Sequence, residues 1–112
     1  MTSSKQYTFQ ANIWKYDGSG GWHFVTVPKI LSNKIRKNHA IDEEGWGRLK
    51  TIAKIGECEW KTSIWYDSKS GGYLLPIKAS IRKSAGLKEN TRVAAILKLQ
   101  KPDSKLVRML RP

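Results

Sequence analysis

Between Gly71 and Val93 the hydrophobic period of the chain changes twice, and few folds accommodate such a change in so short a span. Tyr73, Leu75 and Ile77 alternate with Leu74, Pro76 and Lys78, the two-residue period of a strand. Pro76 has no N–H to give a ladder and predicts a strand near a sheet edge. Ile77, Ile81 and Ala85 then recur on one face of a short helix, leaving Lys78, Arg82, Lys83 and Ser84 to solvent. Gly86 can take the left-handed conformation that ends a helix, and Leu87 is the apolar residue that folds back on the last turn. The chain then returns as a strand from Arg92 to Leu99, with Val93, Ala95, Leu97 and Leu99 inward.

The rest of the chain supplies further strands. From Tyr7, the residues Tyr7, Phe9, Ala11 and Ile13 alternate with Thr8, Gln10, Asn12 and Trp14, as in a half-buried strand. Asp17 to Gly21 is a glycine-rich turn, and Trp22 to Val27 is apolar enough for a strand covered on both faces. Pro28 opens a helix whose inner face is expected at Ile30, Leu31 and Ile35. His39 to Gly47, which holds Asp42, Glu43, Glu44 and Trp46, reads as a loop. Leu49 to Ile55 and Cys58 to Tyr66 alternate on either side of Gly56-Glu57 and predict a hairpin, with Lys50, Lys54, Lys61 and Trp65 on one face of it.

A weak repeat accompanies this pattern. Gly20-Gly21-Trp22 with the helix after Pro28 resembles Gly71-Gly72-Tyr73 with the helix around Ile81: glycine turn, aromatic-led strand, short helix. Two such units related by a twofold can close one barrel. The expected fold is therefore mainly β, a barrel of about six strands with two short helices. It occupies residues 7–100, with a loose terminus over 1–6 and a short basic tail over 101–112.

At 112 residues the chain has the length of one domain and can hide roughly two thirds of its unfolded surface. Cys58 is the single cysteine, so no internal disulfide forms, and no second cysteine is near either histidine to suggest a metal site. No segment approaches the roughly 20 apolar residues of a membrane span. A soluble protein of the cytoplasm, without metal or cofactor, is expected; monomer and homodimer are both open.

Catalytic patterns are thin. His23 lies in a strand, His39 at a helix end, and Ser63 and Ser80 have no nucleophile-elbow context, so no catalytic residue is assigned. The charge is the stronger signal. Lys and Arg number 21 against 9 Asp and Glu, a net charge of +12, and such a surplus attracts polyanions, of which nucleic acid is the most abundant in cells. Lys50, Lys54, Lys61, Lys78, Arg82 and Lys83 are the candidate phosphate contacts, and Trp14 and Trp65 the candidate stacking surfaces. About six such contacts would weaken binding on the order of a thousandfold between about 50 and 200 mM salt. The alternative from another class is a small-molecule or peptide cleft lined by Trp22, Trp46, Trp60 and Tyr73. Pairing of strand edges into a dimer is a third.

The segments Gly21 to Pro28, Gly45-Trp46-Gly47, Trp60 to Ile64 and Tyr73 to Lys78, followed by Ile81-Arg82 and Gly86-Leu87, resemble in the same order the bacterial family known as domain of unknown function nineteen hundred and five. The resemblance covers roughly residues 7 to 99. It implies a double-split β-barrel distantly related to the AbrB and MazE transition regulators. Leu75 to Val93 is similar to the AbrB-type strand, proline, Ile-Arg helix, Gly-Leu and return strand, with Asn90-Thr91 where that type usually has Gly-Asp. The resemblance implies a fold and no activity.

Overall fold

The structure is a computed structural model that describes residues 4–39 and 47–100, Ser4 and Gln100 by backbone alone. The loop around Trp46 and the tail from 101 lie outside the described residues. Along the chain come β1 (Ser4–Lys15), β2 (His23–Thr26), α1 (Lys29–His39), β3 (Arg48–Ile55), β4 (Cys58–Asp67), β5 (Gly72–Pro76), α2 (Ala79–Ala85) and β6 (Arg92–Gln100). The strands close in the order β1-β2-β5-β4-β3-β6, with β6 returning to β1 and every pair antiparallel. The mainly β barrel of six strands and two helices read from the alternation is the fold observed.

Period two does the sorting. Tyr7, Phe9 and Ile13 of β1, Trp60 and Ile64 of β4 and Val93, Ala95, Leu97 and Leu99 of β6 all point into one core, as their alternation requires. Each Ile, Leu or Val hidden this way contributes about 1.5–3 kcal/mol. The two glycine-strand-helix units are neighbours in space. β2 and β5 pair antiparallel through Val25 and Leu75, both fully buried, a register one residue away from the one that matches Trp22 to Tyr73 in the sequence repeat.

The helices depart from expectation in one respect. Ile35 of α1 is fully buried and Leu31 half-buried, but Ile30 is 87% exposed, and the buried partners of Ile35 are Ser32 and His39. The reason is polar. Ser32 Oγ donates to the Val27 carbonyl at 3.0 Å and accepts from the Tyr73 N–H at 3.1 Å, which fixes the rotation of α1 over β2 and β5 and turns Ile30 outward. Arg36 lies over the Tyr66 ring, 4.1 Å from its centroid, and holds the other side of the helix. At the foot of this junction a Cβ on Gly72 would stand 2.5 Å from the Val27 carbonyl oxygen, so only glycine lets α1 and β5 close up.

α2 ends as its sequence predicts: Gly86 is left-handed at φ 67°, and the Leu87 N–H donates to the Arg82 carbonyl at 2.8 Å. Asn90, at φ 70°, is the one non-glycine residue with positive φ among those described, and its N–H donates to the Ile13 carbonyl at 2.7 Å. At the N-terminus residues 4–6, expected to be loose, continue β1 and pair with β6 from Ser4 opposite Gln100. His39, expected in the loop, is the last residue of α1 and is buried against the Tyr7 hydroxyl, 2.9 Å from its Nε2.

Pro76 shows how the barrel is split. β5 is not an edge strand, because β2 and β4 flank it, but among the described residues β4 pairs with β5 only over Trp65–Leu74, Tyr66–Tyr73 and Asp67–Gly72. Pro76 lies past the last of these pairs and offers no N–H to extend the ladder. From there β5 runs off toward α2, and the stretch of β4 before Trp65 keeps one side without a strand partner among the described residues.

Candidate functional site

Residues of even number on β1 and β2 and odd number on β4 face outward, and register brings their aromatics together. Trp14 stands opposite Phe24, and Phe24 opposite Pro76, across β1, β2 and β5. In the next row Thr26, Leu74, Trp65 and Arg48 follow one another across β2, β5, β4 and β3. Phe24 is only 5% exposed although it points away from the core, because three indoles surround it. Trp14 is 5.1 Å from it between centroids, Trp22 5.9 Å and Trp65 5.6 Å. Trp14 is fixed further by its Nε1–H, which donates to Thr26 Oγ1 at 2.8 Å.

Beside this cluster, where β4 loses its β5 partner, lies a groove of about 280 Å³. Trp22, Trp65 and Pro76 form its apolar walls, and Arg48, Lys61 and Lys78 its cationic rim. Trp60, Lys61, Thr62 and Ser63 line it in succession, inward and outward residues alike, which places the groove along the unpaired side of β4. No carboxylate lines it among the described residues.

The residues singled out from the sequence are distributed unevenly around this groove. Lys61, Lys78 and Trp65 line it, and Lys50 stands opposite the lining residue Ser63. Trp14 supports Phe24 from behind. Lys54 shares the outer face of the hairpin but stands opposite Glu59, whose Oε2 also accepts from Lys98 Nζ at 3.0 Å. That bond and the Lys98 charge hold the Glu59 carboxyl below the ordinary glutamate range, so this end of the face carries a carboxylate, which the groove lining lacks. Arg82 is half-buried and committed: its Nε donates to the Ile77 carbonyl at 3.1 Å. His23 Nδ1 lies 2.8 Å from the Gly21 carbonyl, which can only accept, so Nδ1 carries the proton and Nε2 is left to accept from Arg82 Nη1 at 3.4 Å. Lys83 is exposed on α2, outside the groove lining.

The alternative cleft does not assemble as a unit. Trp22 and Trp60 line the groove, but Tyr73 is fully buried in the core, edge-on to Tyr66 at 5.5 Å, and Trp46 lies outside the described residues. The groove thus joins the lysines and Trp65 of one reading to Trp22 and Trp60 of the other. Arg48 belongs to neither; its signal is its parity with Lys50, one alternation before the expected start of the strand. Among the described residues no group of three His, Cys, Asp or Glu side chains can hold a metal ion, and no helix is long and apolar enough to cross a membrane.

Fold and groove together define a small closed antiparallel β-barrel domain with tryptophans and cations converging on its outer face. The chain belongs to the family described as Domain of unknown function (DUF1905), which matches residues 9–97 and so takes in the whole groove lining. No curated protein matches it.

Proposed function

We propose that the protein is a non-enzymatic binding module of the bacterial cytoplasm that holds nucleic acid in the outer-face groove. The observation that supports this most is the convergence of Arg48, Lys61 and Lys78 with Trp22 and Trp65 on one groove that no described carboxylate lines. Cations placed this way meet phosphates, and exposed indoles offer any base a stacking surface. A reducing compartment suits the unpaired Cys58.

A free metabolite is the lesser reading. The groove volume of about 280 Å³ stands at the small end of the roughly 300–1,000 Å³ of pockets that enclose a small molecule, but the groove opens along a strand. A polymer that passes through and leaves only part of itself in the groove suits that shape better. The test is fluorescence anisotropy with labelled DNA and RNA at about 50 and 200 mM salt; three phosphate contacts to a single strand predict an affinity loss of about 20-fold. Binding that ignores salt, or no binding at either concentration, would remove the proposal.

A further inference from the structure

We infer that the groove takes one unstacked nucleobase of a single strand, with the strand's backbone running along the cationic rim; this rests on the nucleic-acid reading above. The angles of the aromatic cluster carry it. Trp22 is nearly parallel to Phe24, at 8°, whereas Trp65 meets Phe24 at 86°. The two groove indoles therefore stand close to a right angle to each other. Trp22 stacks parallel to Phe24 yet is 51% exposed and lines the groove, so the indole surface that Phe24 leaves uncovered is open to a ligand.

A planar ring placed in this corner can lie flat against one indole and must then present its edge to the other. The groove, of about 280 Å³, thus offers such a ring one face to lie on and one wall for its edge. A base on Trp22 continues the Phe24–Trp22 stack and sets its edge against Trp65. There it faces the side of β4 over residues 60–63 that has no strand partner among the described residues, where backbone N–H and C=O groups can meet the base edge. Arg48, Lys61 and Lys78 come from β3, β4 and the start of α2, so they surround the corner and can reach the phosphates on both sides of one splayed nucleotide. A base in a duplex reaches the corner only after unpairing and unstacking, which costs a few kcal/mol.

The test compares four labelled DNAs of one length against the full chain: a single strand, its duplex, a single strand with every base removed, and a strand with one base at its centre and abasic sites elsewhere. The single strand should bind at least tenfold tighter than the duplex. One central base should restore most of the affinity lost in the abasic strand, a difference of about 5- to 150-fold. Trp22→Ala should remove that difference while leaving the abasic strand's binding unchanged, with the melting temperature checked to show that the variant folds; Trp65→Ala should reduce it too. Equal, salt-sensitive binding of single strand and duplex would overturn the inference and leave the nucleic-acid reading standing. Equal losses for based and abasic strands in Trp22→Ala would also overturn it. Failure of every nucleic acid to bind would overturn both.

Discussion

Neutralising the groove cations one at a time should alter how binding responds to salt, and should do so only for cations at the groove. Each phosphate neutralised on a single strand contributes about 0.7 to the slope of log affinity against log salt. Arg48, Lys61 and Lys78 together predict a slope of about −2, and Lys61→Gln should bring it to about −1.4. Between about 50 and 200 mM salt the affinity loss would shrink from about 20-fold to about 7-fold. Lys61 and Lys78 are exposed, so their replacement should leave the barrel intact. Lys54 is the control, because it lies on the same outer face yet outside the groove lining, opposite Glu59, whose ion pair is with Lys98. Lys54→Gln should leave the slope near −2, since Lys54 lies outside the groove lining and beside a carboxylate that repels phosphate. Anisotropy titrations over a series of salt concentrations give all these slopes. A Lys54→Gln variant that flattens the slope as much as Lys61→Gln would show that overall charge, and not the groove, does the binding.

Gly72→Ala should destabilise the fold by about 1–3 kcal/mol, because its Cβ meets a backbone oxygen that cannot move without shifting α1. At this chain length the melting temperature should fall by roughly 4–12 °C in calorimetry. Asn90→Gly should melt close to the parent, whereas Asn90→Val should lose about 1–2 kcal/mol in urea unfolding, since a branched side chain resists φ 70°. Lys98 lowers the Glu59 pKa in the folded protein, so their pair stabilises at neutral pH and the contribution is lost as pH falls through that lowered value, below the ordinary glutamate range. The gap in melting temperature between the parent and Glu59→Gln should be small, because the carboxylate is exposed, and should close on acidification; a gap that widens with acid would contradict the sign.

Alternation made the strands legible because a period of two leaves no freedom. Trp60, Thr62 and Ile64 had to face one way and Lys61, Ser63 and Trp65 the other, and they do. The inner stripe of α1 was not legible, because Ser32 and its two hydrogen bonds, and not hydropathy, set the rotation that exposes Ile30. The groove was readable only in halves. Lys61 and Trp65 share a hairpin, whose register follows from its short turn, but Trp22 joins them only because β2 lies against β5 and β5 against β4, an order that no local pattern encodes. The carboxylate at the far end of the face could have been found, since Lys54 and Glu59 flank the Gly56-Glu57 turn and must stand opposite each other in a tight hairpin. Tyr73 belonged to the alternating set that faces the core, which already argued against its place in a surface cleft.

The groove follows from the way the barrel closes. A closed barrel keeps its apolar residues inside and owes nothing to its outer surface, yet Phe24 is buried on that surface by indoles alone. Burying a phenylalanine is worth about 1.5–3 kcal/mol, but here it leaves Trp22 half in water, so packing explains Trp14 and Phe24 better than it explains Trp22. The same register step that ends the β4–β5 ladder at Trp65 and Leu74 turns Trp65 toward Trp22 and frees one side of β4 among the described residues. Pro76 offers no donor to carry the ladder further, and Lys78 begins the turn into α2 beside the opening. Aromatic walls, backbone edge and cations thus meet at one break in the sheet, and a substitution that lengthened the β4–β5 pairing would close the groove without touching the core.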